Sequence, residues 1–345
     1  MRALRYESFG GAVTIVDAPD PMPGPGAAIV EVARTGLCRS DWHGWRGHDS
    51  DTVLPCIPGH EFTGTVIEAP GAPEWVGKRV AVPFVMACGT CPECTRGRGQ
   101  VCRAQRQPGF TDQGSFAAYV PVVAARVNLV ALPDAIGDDA AAALGCRYAT
   151  AWRALTAVAQ LQEGERLAVF GAGGVGLAAI QIAVHLGAEV LALDISSASL
   201  GHAMSLGASA ERIDATDSPQ QIADHVRTLW PDGSSVSMDA LGSPVLASAG
   251  VLGLARGGRH VQVGLLAEPL SVLPLGRVIA HELRILGSHG MAASDYPALL
   301  DAVESGLDPA ALVTATLPLA DAGPALMTMD APDAPRGVRL IDPRR

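Results

Sequence analysis

The sequence has little charge, and it lacks the positive surplus that nucleic-acid binding requires. Only 17% of its 345 residues are charged, and 25 Lys and Arg stand against 35 Asp and Glu, for a net charge of −10. Such a chain is unsuited to binding phosphates along a duplex. Its 48% of hydrophobic residues also excludes the polar composition of disordered proteins. We expect a globular protein with no nucleic-acid partner and, at ~150 residues per domain, room for two domains.

Targeting signals are also missing from the sequence. Residues 1–10 show no apolar core followed by a small-residue cleavage site. The most apolar run, residues 167–180, contains four glycines and is shorter than the ~18 to 20 apolar residues of a membrane span. We therefore expect a cytoplasmic protein that has no membrane partner.

The sequence pattern changes near residue 148. Before it, short β-rich runs at 28–33, 64–68 and 79–82 lie between prolines and glycines, as is typical of a β-rich domain. After it, apolar strands alternate with helical segments, which favours a parallel α/β sheet. The alternation stops near Gly287, and a helix around 296–304 and a strand near 338–341 follow. We predict one domain over residues 1–147 and 288–345, and a second over 148–287. The predicted strands of the second domain are 167–170, 190–193, 236–240 and 260–263.

A glycine motif follows the first strand of the second domain. Gly171, Gly173 and Gly176 form G-x-G-x-x-G between that strand and a helix, and this context is typical of a dinucleotide site. Eighteen residues later, Asp194 ends the next strand, where a carboxylate accepts hydrogen bonds from the adenosine ribose and repels a 2′-phosphate. The motif predicts NAD in preference to NADP. The alternative is a glycine-rich turn without a ligand. Gly174 and Val175, within the motif, are further candidates for cofactor contact.

Four cysteines stand close together in a lobe at residues 86–103. Cys88, Cys91, Cys94 and Cys102 have the spacing C-x2-C-x2-C-x7-C, and four thiolates suit a closed, structural zinc site. Disulfides and an iron–sulfur cluster are the alternatives. An isolated cysteine such as Cys56 is more often a small buried hydrophobe.

Three further metal-ligand residues are scattered along the chain. Cys38 lies in GLCRSDWH, His60 in PGHE and Cys146 in LGCRYAT. With the cysteine lobe and GAGGVG, these motifs occur in the order found in zinc-containing medium-chain alcohol dehydrogenases, which the chain resembles over nearly its whole length. The resemblance implies an α/β protein with a GroES-like β-rich catalytic domain, a Rossmann domain with a doubly wound parallel sheet, and assembly as a homodimer or homotetramer. It further implies that Cys38, His60 and Cys146 hold a catalytic zinc whose fourth position is open.

The resemblance also suggests roles for neighbouring residues. Ser40 and His43 would form a proton relay that runs from the serine through a cofactor ribose hydroxyl to the histidine base. Asp41 would orient His60, and Glu61 would be a transient zinc ligand. One departure is Ser199, where many relatives have a lysine. Residues expected to contact the cofactor are Arg39, Thr150, Val175, Val263, Gly264, Leu265 and Arg339, and aromatic candidates for the substrate pocket are Trp42, Trp45 and Phe110.

The expected function is therefore an NAD-dependent alcohol dehydrogenase with two zinc ions per chain, one catalytic and one structural. It would convert a primary or secondary alcohol to an aldehyde or ketone, or the reverse. One alternative is a zinc-free quinone or enone reductase of the same superfamily, which lacks the ligand triad and the cysteine lobe. The other is a protein that binds NAD and zinc without turnover, which a loss of ligands or relay residues would indicate.

Overall fold

The computed structural model describes residues 1–266, 270–331, 334–335 and 337–345. The chain forms two compact units, Met1–Ala149 with Gly290–Arg345, and Thr150–His289. Both division points lie two residues beyond the predicted limits. Among the described residues, no helix combines the length and the apolar composition required to cross a membrane.

Strands and helices are numbered in chain order. The strands are β1 (Arg2–Tyr6), β2 (Val13–Asp17), β3 (Ala28–Leu37), β4 (Phe62–Glu68), β5 (Arg79–Val82), β6 (Tyr119–Val122), β7 (Val130–Ala131), β8 (Arg166–Phe170), β9 (Glu189–Asp194), β10 (Ser209–Arg212), β11 (Ser234–Asp239), β12 (Leu254–Gln262), β13 (Arg284–Gly287), β14 (Val313–Pro318) and β15 (Val338–Asp342). The helices are α1 (Arg39–Trp45), α2 (Pro92–Thr95), α3 (Ala125–Asn128), α4 (Asp138–Ala143), α5 (Arg147–Arg153), α6 (Gly174–His185), α7 (Ser197–Ser205), α8 (Pro219–Leu229), α9 (Pro244–Leu252), α10 (Leu275–His281), α11 (Tyr296–Glu304) and α12 (Leu319–Met327).

The first unit is built on a mostly antiparallel sheet with the order β14-β15-β3-β4-β5-β7, and β6 also pairs with β3. Alternating apolar residues such as Val30 and Val32 are fully buried, which is the pattern of strands with one face on a core. In the β3–β4 register Thr35 lies opposite Phe62. The end of β3 and the start of β4 therefore meet, and this pairing brings the segments that carry Cys38 and His60 together.

The second unit is a parallel sheet with the order β10-β9-β8-β11-β12-β13. Counted within the unit this is 3-2-1-4-5-6, the Rossmann order, in which ligands bind beyond the carboxyl ends of the strands where the order reverses. Residues Leu167–Phe170 of the central strand β8 are fully buried, as expected for a strand covered on both faces. The predicted α/β fold is confirmed.

Strand limits differ from prediction where pairing, and not an apolar pattern, determines the strand. β3 continues past its predicted end at residue 33 through Arg34, Thr35 and Gly36, because β15 pairs with this segment. Similarly, β12 begins six residues before its predicted start, at Leu254, which pairs with Ser234 of β11. After a register shift the pairing resumes at Arg259, opposite Val236.

Candidate metal and cofactor sites

Cys38, His60 and Cys146 converge in the first unit. Cys38 immediately precedes α1, His60 lies just before β4, and Cys146 lies between α4 and α5. All three are buried, and their ligand atoms lie within 4.8 Å of one another. His60 Nε2 is buried and has no hydrogen-bond partner, although buried polar atoms are normally paired. Two thiols and an unpartnered imidazole nitrogen are a donor set that fits zinc.

Asp41 holds this group together. Its Oδ1 lies 2.9 Å from His60 Nδ1 and accepts the Gly59 amide at 3.1 Å. Its Oδ2 accepts the Cys38 amide at 2.8 Å, which closes a capping box at the start of α1. This arrangement favours the proton on Nδ1 and leaves Nε2 available as a ligand atom. Burial opposes a charged imidazole, but the Asp41 carboxylate outweighs it and raises the pKa of His60 well above its ordinary value.

The two thiols of the group interact directly. The hydrogen bond with Cys146 holds the pKa of Cys38 well below its ordinary value, and the same bond raises the pKa of Cys146. A thiolate at Cys38 is the form of cysteine that ligates a metal ion.

Glu61 lies beside this group in a buried ion pair with Arg147. Its Oε1 accepts the Arg147 amide at 2.9 Å, and its Oε2 pairs with the guanidinium. The guanidinium also donates to the Leu37 carbonyl at 3.2 Å. A Cβ at Gly36 would collide with both side chains, so the absence of a side chain at position 36 makes room for the pair. Burial raises the pKa of Glu61 despite Arg147. Sequence reasoning missed Arg147, although an arginine directly after a cysteine ligand was a visible signal.

The predicted relay residues lie on α1. Ser40 is in the first turn, with its Oγ 3.9 Å from Cys38 Sγ, and His43 is in the last. His43 is half-buried, and its Nδ1 lies 3.0 Å from Nδ1 of His48. Burial, then Arg39 and His48, lower the pKa of His43. The Arg39 guanidinium lies 4.1 Å above the Trp42 ring.

Aromatic rings surround His60, but they are only partly the predicted ones. The Phe110 ring lies 5.3 Å from that of His60, and the Phe84 ring lies 6.1 Å away on an edge-to-face approach. Phe84 was missed. Trp45 belongs instead to the hydrophobic core, where its Nε1 donates to the Gly11 carbonyl at 2.8 Å. Trp42 belongs to the same core cluster, and the assignment of the two tryptophans to a substrate pocket stays a prediction.

The four cysteines of the lobe also converge, with their ligand atoms within 4.8 Å of one another. Their sulfurs are 4.0 Å apart between Cys88 and Cys94, 3.4 Å between Cys91 and Cys94, and 3.7 Å between Cys91 and Cys102. A tetrahedral zinc with Zn–S bonds of ~2.3 Å requires about 3.8 Å between sulfurs. All seven cysteines are free thiols. The Thr90 amide lowers the pKa of Cys88 to about 6. This lobe fits a closed zinc site.

The glycine motif lies between β8 and α6. Gly171 has φ +90°, a conformation that favours glycine. A Cβ on Gly176 would collide with the Gly171 carbonyl, whereas Gly173 faces open space. Helix and strand can therefore pack closely, and a phosphate can approach the exposed start of α6, next to Gly174 and Val175.

Asp194 ends β9 beside this turn. Its Oδ2 accepts the Ala172 amide at 2.7 Å, and its Oδ1 accepts the Ser196 amide at 2.8 Å. Each carboxylate oxygen retains a lone pair for a further donor. Ser199, in the first turn of α7, donates its amide to the Ser196 hydroxyl at 3.3 Å, so it contributes to the helix cap.

Sequence reasoning missed Asp239 at the end of β11. Its buried carboxylate accepts the amides of Leu241 and Gly242, both at 2.9 Å, and the Gln262 side chain at 2.8 Å. Its carbonyl accepts the amides of Val263 and Gly264. Asp239 thereby fixes two loops at the same edge of the sheet, including the predicted cofactor contacts 263–265, of which Leu265 is 72% exposed.

Thr150 and Arg339 are two further residues predicted to contact the cofactor. Thr150 is buried on α5. Arg339 is on β15 of the first unit, opposite Leu37 in the β3 register, and its guanidinium donates to the Ala325 carbonyl at 3.4 Å. Burial, then Arg147, lower its pKa.

Comparison with known proteins agrees with these sites. Residues 24–134 match the alcohol dehydrogenase GroES-like domain, and residues 174–305 match the zinc-binding dehydrogenase family. The chain is 31% identical over 322 residues to L-threonine 3-dehydrogenase of Streptomyces avermitilis, covering 91% of this chain and 92% of that protein.

Solved structures give the same result. Alcohol dehydrogenase from Thermus sp. ATN1 superposes with a TM-score of 0.88 and 33% identity over 99% of both chains. A zinc-binding dehydrogenase of Sinorhizobium meliloti 1021, bound to NADP, gives 0.85 and 25% identity over 99% of this chain and 98% of that one. The chain belongs to the zinc-containing medium-chain dehydrogenase family and is an oxidoreductase that acts on CH–OH groups.

Proposed function

We propose that this protein is an NAD-dependent alcohol dehydrogenase that converts a primary or secondary alcohol to an aldehyde or ketone, and the reverse. The observation that carries the proposal is the buried ligand set of Cys38, His60 and Cys146, in which His60 Nε2 has no partner. We further propose that the first unit is the catalytic domain and the second the coenzyme domain.

Each residue of the proposed catalytic site has a distinct role. Cys38, His60 and Cys146 would hold zinc, which as a Lewis acid lowers the pKa of an alcohol hydroxyl, and bound NAD would accept the hydride. Asp41 keeps His60 in the tautomer that ligates. Ser40 would accept the substrate's hydroxyl proton while it passes on its own, and His43 would be the base that receives a proton at the end of this relay. The lowered pKa of His43 keeps it neutral, and so able to accept a proton, at neutral pH.

Asp194 supports NAD as the cofactor. Its carboxylate lies where the adenosine ribose is expected and would repel a 2′-phosphate there. Arg212 lies opposite Asp194 in the β9–β10 register, but its Nε donates to the Ile195 carbonyl at 3.3 Å. Ser199 supplies no positive charge to offset the carboxylate. The glycine turn and the start of α6 would bind the pyrophosphate.

We also propose that the lobe holds a second, structural zinc. Four sulfurs complete a tetrahedral shell and leave no position for substrate. The regular structure of the lobe consists of the four-residue helix α2 and a 3-10 turn at Gly99–Val101, so metal binding would supply much of its folding free energy.

The test is an alcohol panel with NAD⁺, run on the wild type and on Cys146→Ser. The matched control is Cys56→Ser, because Cys56 is also buried but its thiol contacts the Gly109 carbonyl at 3.3 Å instead of a ligand group. We expect Cys146→Ser to lose one zinc and its turnover, and Cys56→Ser to retain both. Full turnover by Cys146→Ser would contradict the proposal.

Assembly as a homodimer or homotetramer is a further part of the proposal. β13 is the outer strand of its sheet, and the neighbouring helix α10 exposes 80% of Ile279. An open strand edge next to apolar side chains favours pairing with another chain. Light scattering that gives the mass of a single chain would contradict this part.

A further inference from the structure

His48 lies beside the proposed catalytic base and is fixed there by the backbone. Helix α1 ends in a Schellman turn. Gly47 adopts φ +73°, its amide donates to the Gly44 carbonyl at 3.0 Å, and the His48 amide donates to the His43 carbonyl at 2.9 Å. Because such a turn stacks the residue after the glycine against the helix residue five positions earlier, the position of His48 follows from the local sequence.

The imidazoles of His43 and His48 approach each other through their Nδ1 atoms. Their Nδ1 atoms are 3.0 Å apart, and their ring centroids are 5.3 Å apart. A hydrogen bond at this distance requires a proton on one Nδ1 and a lone pair on the other. The Trp42 ring packs edge-to-face against both imidazoles, at 5.0 Å from His43 and 5.5 Å from His48, and so restrains them.

Exposure differs between the two rings. His43 is half-buried and His48 is exposed. The charged groups that act on His43 are Arg39 and Cys38 at the start of α1, and His48 and Asp49 in the loop that follows. Two adjacent positive imidazoles repel each other, so a proton gained by one ring disfavours a second proton on the other.

We propose that His48 positions His43 and relays to water the proton that His43 receives. This inference rests on the proposed dehydrogenase function. A proton arrives at His43 Nε2, the Nδ1 proton of His43 moves to Nδ1 of His48, and His48 releases its Nε2 proton to solvent. One proton enters and one leaves, and no electron moves. Both rings end in the other tautomer, and exchange of their ring protons with water returns each ring to its starting tautomer before the next turnover.

The first test is stopped-flow measurement of proton release during a single turnover of alcohol, with a pH indicator and little buffer. We compare the wild type, His48→Gln and the control His185→Gln, which alters an exposed histidine at the end of α6. Because general acid–base groups contribute about 10²- to 10⁴-fold and His43 retains some access to water, we expect His48→Gln to be about tenfold slower. Added HEPES should restore the rate, while KM and zinc content stay unchanged.

The second test does not depend on activity. In zinc-loaded, cofactor-free enzyme, NMR titration of ¹⁵N-labelled histidines should show His43 protonating at a higher pH in His48→Gln than in the wild type, because a repelling neighbour has been removed. Wild-type proton release in His48→Gln at every buffer concentration, or an unchanged His43 titration, would refute the role of His48 while leaving the dehydrogenase intact. A wild type that turns over no alcohol would refute the dehydrogenase proposal, and the role of His48 with it.

Discussion

The buried Arg147–Glu61 pair allows a quantitative test of the packing beside the proposed catalytic metal. Arg147→Met leaves the Glu61 carboxylate buried, and among the described residues only the backbone amide at position 147 remains as its partner. Breaking a buried pair in this way costs about 3–5 kcal/mol. Glu61→Gln strands the guanidinium and should cost about as much. The double variant contains neither charge. It loses mainly the bond to the Leu37 carbonyl, which should cost about 1–3 kcal/mol.

We therefore expect the double variant to be more stable than either single variant. The assay is hydrogen exchange by mass spectrometry on peptides that cover β4, which reports the free energy of opening in this unit. The matched control is Arg126→Met, which breaks the exposed ion pair with Glu74 and should cost less than about 1 kcal/mol. If Arg147→Met is as mild as the control, or if the costs of the single variants simply add, the reasoning is wrong.

Three further predictions concern the cofactor, the lobe and the effect of pH. The preference for NAD over NADP is measured as the ratio of the two kcat/KM values. Asp194→Ser should lower this ratio about tenfold, which corresponds to about 1.4 kcal/mol. An unchanged ratio would contradict the proposed role of Asp194. Cys102→Ser should remove one zinc per chain and increase proteolysis within the lobe, whereas two retained zinc ions would exclude it as a ligand. Burial lowers the pKa of His260, so the unfolded state takes up a proton near pH 6.5 that the folded state does not. The free energy of unfolding should fall as the pH drops below that value, and His260→Gln should weaken this pH dependence. If the slope of unfolding free energy against pH is the same in His260→Gln and the wild type, the prediction is wrong.

The fold could be predicted from the sequence wherever local pattern and pairing agree. The apolar runs of β8 and β9 and the glycine turn between β8 and α6 have this property, because a buried parallel strand needs apolar residues on both faces. At the polar end of β3 and the polar start of β12, the local sequence pattern does not predict a strand. Those segments are strands only because β15 and β11 pair with them, and that information is distant in sequence.

In the candidate sites too, some features could be predicted from local sequence and others depend on distant contacts. Ligand types and spacing indicated the cysteine lobe, and the motifs around Cys38, His60 and Cys146 indicated the second group by resemblance. The Arg147–Glu61 pair, the stabilisation of two loops by Asp239 and the approach of Phe84 depend on tertiary contacts between segments far apart in the chain. His48 is different, since the glycine before it and its five-residue offset from His43 are both local signals of a Schellman turn.

Zinc content measured together with turnover tests the central claim most directly. Protein purified without chelators or metal-affinity carryover should contain two zinc ions per chain by elemental analysis and should reduce NAD⁺ with at least one alcohol of a broad panel. Cys146→Ser should contain one zinc and show no turnover. One zinc in the wild type, with no gain in zinc or turnover after zinc is restored, would contradict a catalytic site at Cys38, His60 and Cys146.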